Sequence, residues 1–201
     1  MTTDYVPTTG APDDAVHPLT RAAWRAWLAE HHARDGGVWL IRYKKEVDRP
    51  MVDYDAAVEE ALCFGWVDSL PRTLDEERTM LYFAPRKPGS NWSRLNKDRI
   101  ARLEVAGRLH PAGRAKVTEA RRDGSWTALD DVERGVVPDD LATALAAHEG
   151  AAAHWEAFPP SVRRGILEWI QNAKRATTRA KRVEETARLA QRNERANQWR
   201  R

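Results

Sequence analysis

A chain of 201 residues with 42% hydrophobic residues is long enough to bury a core and shows no bias toward disorder. No apolar run reaches the length of a bilayer span, the N-terminal MTTDYVPTTGAPDDAV lacks a basic start, and one cysteine, Cys63, excludes a disulfide framework. The cytoplasm is therefore the expected compartment, and the net charge of +3 hides a basic tail, with twelve Lys or Arg against four Glu from Pro159 onward.

Residues 1–17 are expected to form a flexible arm, residues 18–135 an α+β domain, and residues 136–201 a C-terminal helical segment with a basic last helix. Thr20 is placed to cap a helix through RAAWRAWLAEHHA, which Gly36-Gly37 ends. VWLIRYKK, residues 38–45, is rich in β-branched and aromatic residues and reads as a strand. Asp53 or Asp55 opens a helix through AAVEEALCF, and Gly65 stops it at the position of a left-handed cap. WVDSL restarts as a strand that Pro71 ends, LDEER turns the chain, and TMLYFAP, residues 79–85, reads as another strand, at least two of the three being joined as a hairpin. Beyond RKPGSN the pattern is helical, over about 92–106, 111–123, from Pro138 through DDLATALAAH, SVRRGILEWIQNAKR and TRAKRVEETARLAQRNE. Strands early and helices late predict an α+β fold, with a small, mainly antiparallel sheet of about three strands.

Two stretches carry candidate chemistry. After Gly65, strand alternation puts Trp66 and Asp68 on one face, either as a ligand wall or as a core tryptophan beside a structural carboxylate. In FAPRKPGSNWSRLNKDRI the flanking prolines hold Arg86 and Lys87 extended, next to a helix start that Ser90, Asn91 or Ser93 can cap. Cations beside free helix N–H groups favour a carboxylate or phosphate. The stripe Trp92, Asn96, Ile100, Leu103, Gly107 places the Asn96 amide on the apolar side of that helix, to be met by an internal partner or by a ligand.

Taken together, ALCFGWVDS, FAPRKPGSNWS with Asn96 four residues after Trp92, and WIQNAKRATTRAKRV resemble the YdeI/OmpD-associated, or bacteriocin-protection, family over residues 18–196. Ala176-Thr177 stand where the family motif has Pro-Glu. The resemblance implies a role in protection against bacteriocins or cationic antimicrobial peptides, and it carries over no catalytic residue.

The first reading is accordingly a cytoplasmic stress- or peptide-protection protein. It binds a small anionic ligand in a tryptophan-lined polar cavity built from Trp66, Asp68, Arg86, Lys87, Ser90, Trp92 and Asn96, closed by Lys174 and Arg179. A second reading is nucleic-acid or anionic-surface binding through Lys174, Lys181, Arg188 and Arg195, which recur every seven residues on the last helix. A third is an enzyme of unrecognised type with Asp68 as acid or base. No metal spacing, cofactor fingerprint or nucleophile motif supports catalysis, and Cys63 reads as core packing. The remaining tryptophans, Trp24, Trp27, Trp155 and Trp169 among them, read as core, while Trp199 falls outside the residues described below.

Overall fold

The computed structural model describes residues 5–197, and the chain divides after Trp126 into two compact units. In the first, β1 (Ala15–Val16), α1 (Arg21–His31), β2 (Val38–Tyr43), α2 (Tyr54–Cys63), β3 (Trp66–Thr73), β4 (Arg78–Pro85), α3 (Arg94–Val105) and α4 (Pro111–Asp123) follow in order. The sheet runs β1-β2-β4-β3, with β1 parallel to β2 and the other pairs antiparallel. The fold is thus α+β, and its fourth strand is the short β1.

That strand belongs to the segment expected as a flexible arm. Residues 5–17 are instead tied down: the Tyr5 hydroxyl donates to the Ala23 carbonyl, Val6 N–H to the His17 carbonyl, and β1 lies along β2. Backbone pairing of this kind leaves no signature in so short and polar a sequence.

Local signals explain the starts of α1, α2 and α3. The side chains of Thr20, Asp53 and Ser93 accept from the N–H groups of Ala23, Ala56 and Asn96. Gly65 sits at φ 78°, so the chain reverses hand between α2 and β3 without a Cβ penalty. Pro71 does not end β3 as expected. It lies within the strand opposite Leu81, past a register shift between Asp68 and Pro71. β3 is the sheet edge, where the missing proline N–H breaks no ladder.

Trp24, Leu28, Leu40, Ala57, Cys63, Trp66, Phe83 and Trp92 are among the residues of the core between the sheet and α1–α4. Trp24 and Trp27 stack at 5.3 Å, and Trp66 meets Trp27 edge-on at 5.9 Å.

The second unit comprises α5 (Asp130–Arg134), α6 (Asp139–Ala147), α7 (Ala151–Ala157), α8 (Pro160–Gln171) and α9 (Ala176–Gln191). It begins before residue 135 because α5 packs on α8, where Arg164 forks onto Glu133 at 2.9 and 3.1 Å. α9 carries its basic residues opposite a side of small and aliphatic residues. Val183, Thr186, Ala187, Leu189 and Ala190 are buried, since small side chains let α6 and α7 approach closely.

Candidate functional site

The hairpin of β3 and β4 brings the two candidate stretches together. Trp66 pairs with Pro85 and Asp68 with Phe83, while the Arg86 N–H donates to the Gly65 carbonyl at 2.9 Å. The carboxylate after the glycine stop and the cation after the first proline are thereby neighbours.

Arg86 is the unusual member. It is only 4% exposed, and among the described residues no carboxylate lies within ion-pair distance of it. Its Nη1 donates to the Asn91 carbonyl at 2.7 Å and more weakly to that of Ser90 at 3.4 Å, while its guanidinium lies 3.8 Å over the Trp92 ring. The Nε–H is buried and has no partner. Burial pushes this guanidinium down to about 10, against the pull of the Asp68 carboxylate, so the charge persists at neutral pH.

Asp68 is half-buried and accepts from the Tyr54 hydroxyl at 3.0 Å. Burial and then the Asp68 charge push the Tyr54 phenol upward, which makes it a hydrogen-bond donor rather than a base. Arg99, also 4% exposed, completes the cluster by donating to Asn96 Oδ1 at 3.1 Å and pairing with Asp55. Asp68 and Asn96 are therefore joined through Tyr54 and Arg99, while Arg86 touches neither and feels only the Asp68 charge. Neither of those two stood out in the sequence. Asp55 and Arg99 are 44 residues apart, and only the packing of α2 on α3 joins them.

The rest of the expected cavity is corrected by its surroundings. Trp66 and Trp92 are core residues at 0% and 1% exposure, and Trp66 Nε1 donates to the His32 carbonyl at 3.0 Å. Ser90 contributes its carbonyl to Arg86, and Ser93 is the residue that caps α3. Lys87 is exposed. The concavity beside Arg86, lined also by Lys87, Ser90, Trp92, Lys116, Glu119 and Asp123, holds only about 10 Å³, room for one water.

Lys174 and Arg179 belong to the second unit. There Arg179 is engaged by both oxygens of Asp140 at 2.7 and 3.0 Å, and Lys174 is exposed. Lys181 and Arg188 lie exposed on α9, as expected. Arg195 does not join them, because α9 ends at Gln191 and Asn193 takes a left-handed conformation at φ 56°.

Two further hollows had no sequence signal. One is an open groove of about 640 Å³ beside Tyr43, Arg49, Asp75 and Arg78, whose Arg78 is already paired with Asp75 at 2.6 Å. The other, about 100 Å³, lies in the second unit between Val132, Val136, Leu167 and Ile170. Cys63 is buried, and burial pushes its thiol up, away from nucleophilic use. Among the described residues no group of three His, Cys, Asp or Glu could hold a metal ion, and no helix is long and apolar enough to cross a membrane.

Residues 16–116, half of the chain, match the family described as Domain of unknown function (DUF8412), and residues 135–193 match Bacteriocin-protection, YdeI or OmpD-Associated. The chain belongs to the first of these families, and within its second unit residues 135–193 match the second. ALCFGWVDS and FAPRKPGSNWS fall in the DUF8412 part, whereas WIQNAKRATTRAKRV falls in the bacteriocin-protection part. No curated protein and no solved structure gives a significant match.

Proposed function

We propose that this is a cytoplasmic protection protein of the bacteriocin-protection type whose DUF8412 unit binds a small carboxylate at Arg86. One observation carries the reading: a guanidinium 4% exposed, without a carboxylate partner and with an unpaired Nε–H. Burying a charge without a counter-ion costs several kcal/mol, and two carbonyls and an indole face offset only part of it. The free Nε edge suits a planar carboxylate, which would take a charge-assisted fork. A single water's volume stands beside it, so entry requires Lys87 and Lys116, both on flexible stems, to swing aside. The buried, unpaired thiol of Cys63 fits a reducing compartment.

The test is thermal unfolding of the full chain with oxalate, malonate and citrate. At least one should raise the midpoint by a few degrees, and Arg86→Lys, which keeps the charge but loses the fork, should abolish that increment. If none of the three moves the wild-type midpoint, or the increment survives in the variant, Arg86 is a structural latch for residues 87–91 and nothing more.

A second reading rests on α9, where Lys181 and Arg188 are exposed and have no acidic partner among the described residues. It predicts salt-dependent binding of a nucleic acid, abolished by Lys181→Glu with Arg188→Glu. A gel-shift titration at low salt that is the same for wild type and double variant excludes it.

A further inference from the structure

Glu60, one turn from the end of α2, has a side chain with no solvent exposure. Its carboxylate is met from three sides. Arg21 Nε donates to Oε1 at 2.5 Å, Arg25 Nη1 to Oε2 at 2.6 Å, and Arg108 Nη2 also to Oε1. Arg21 and Arg25 come from α1, one turn apart, and Arg108 from the connection between α3 and α4. Arg25 also donates to the Arg108 backbone carbonyl at 3.0 Å, which ties its guanidinium to the connection that carries Arg108.

Charge balance distinguishes this cluster from an ordinary buried pair. Glu59 takes a second bond from Arg21 at 2.8 Å and has Arg102 at 3.7 Å. Four guanidiniums thus face two carboxylates, an excess of two positive charges. One guanidinium is enough to neutralise a buried carboxylate, so the fold by itself does not call for the surplus. Nor are the cations hidden. The side chains of Arg21, Arg25 and Arg108 keep 35%, 36% and 38% of their surface, with Glu60 beneath them. Their bonds to Glu59, Glu60 and the Arg108 carbonyl leave N–H donors unused on each guanidinium.

The wall beside them is equally lacking in negative charge. Arg25 stands 5.3 Å over the Phe64 ring, and Phe64 packs against His110 at 4.7 Å and His32 at 5.6 Å. Burial, His32 and Arg25 together hold the His110 imidazole below its usual range, and no carboxylate counters them.

We propose that Arg21, Arg25 and Arg108 form a binding site for a phosphate-type oxyanion, with buried Glu60 as the anchor that holds the three guanidiniums in place. Each presents a planar fork matched to phosphoryl oxygens, and a dianion would balance the surplus charge. The site is separate from Arg86, whose pocket none of these residues lines.

Isothermal titration of the full chain with inorganic phosphate and with pyrophosphate, in low-salt buffer free of other oxyanions, tests this. Pyrophosphate should bind saturably at one site, and Arg108→Gln and Arg21→Gln should each weaken it by about tenfold or more. Either variant still leaves Glu60 two guanidiniums, so the fold should survive. Arg86→Lys should bind pyrophosphate as the wild type does, which separates this site from the carboxylate site. Should both Gln variants misfold, the Nε–H resonances of Arg21, Arg25 and Arg108 in the wild type decide, since pyrophosphate must shift them. Absence of saturable binding, or equal binding by well-folded variants, overturns the proposal. So does a single-stranded oligonucleotide that binds through Arg21 and Arg108 while pyrophosphate does not, because the partner is then a nucleic-acid backbone.

Discussion

His17 makes the stability of the first unit depend on pH in a way that can be worked out from its surroundings. The imidazole is 1% exposed, packs 4.9 Å from the Tyr43 ring, and has no partner for either nitrogen. Burial first, then the Arg78 charge, push it down to about 4 from 6.5, with Asp75 pulling the other way. In the unfolded chain it takes up a proton near pH 6.5, and in the folded chain only near 4. Its contribution is therefore complete above 6.5 and is lost as pH falls from 6.5 toward 4. The fall from 6.5 to about 4 corresponds to about 3 kcal/mol, most of it gone by pH 4.5. His17→Phe keeps an aromatic ring against Tyr43 but removes both the proton and the unpaired nitrogens. Urea unfolding of wild type and variant, followed by tryptophan fluorescence at pH 7, 5.5 and 4.5, should show the wild type falling behind progressively. Asp75, Asp123 and Asp140 are held below the usual carboxylate range by their bonded partners, so they titrate beneath this window. Parallel stabilities of the two proteins from pH 7 to 4.5 would refute the reasoning.

Glu60→Gln should destabilise the first unit by about 3–5 kcal/mol in urea titrations, because three guanidiniums lose the charge that holds them together. A loss under about 1 kcal/mol would mean that solvent already screens the cluster. Gly113→Ala should cost about 1–3 kcal/mol, since an added Cβ would stand 2.3 Å from the Cys63 carbonyl oxygen and push α4 off the end of α2. An unchanged midpoint in thermal unfolding would show that the two helices are free to separate.

Local chemistry was legible where the deciding partner lies within a turn. Thr20, Asp53 and Ser93 cap, Gly65 reverses the chain, and Pro111 opens α4, because each answers to backbone groups within four residues. The approach of Asp68 to Arg86 was legible for a related reason, since a hairpin is short in sequence. Illegible features had distant or weak causes. Pro71 read as a strand end because nothing in its neighbourhood says that β3 is an edge. Arg195 read as part of a helical face because a seven-residue repeat does not announce that the helix ends at Gln191. The helices α5 and α7, with 5 and 7 residues, are too short to display a period.

Of the residues expected around one cavity, Arg86, Lys87, Ser90 and Trp92 line a single small concavity, and Trp66, Asp68 and Asn96 do not. Trp66 and Trp92 stand between polar residues in the chain, yet Trp27 of α1 meets Trp66, and Arg86 and Trp126 meet Trp92. Glu60 is the reverse case. In AAVEEALCF it looks like any helix-surface glutamate, and its three arginines lie 35 to 48 residues away. By itself the amino-acid sequence determined the class of fold and the starts of α1 to α4, products of short-range hydrogen bonding and hydrophobic period. Only the tertiary structure decided which polar groups lose water, because desolvation depends on every element that packs around a group. The two buried cations Arg86 and Arg99, the neutral His17 and the surplus charge around Glu60 all follow from that one physical cause.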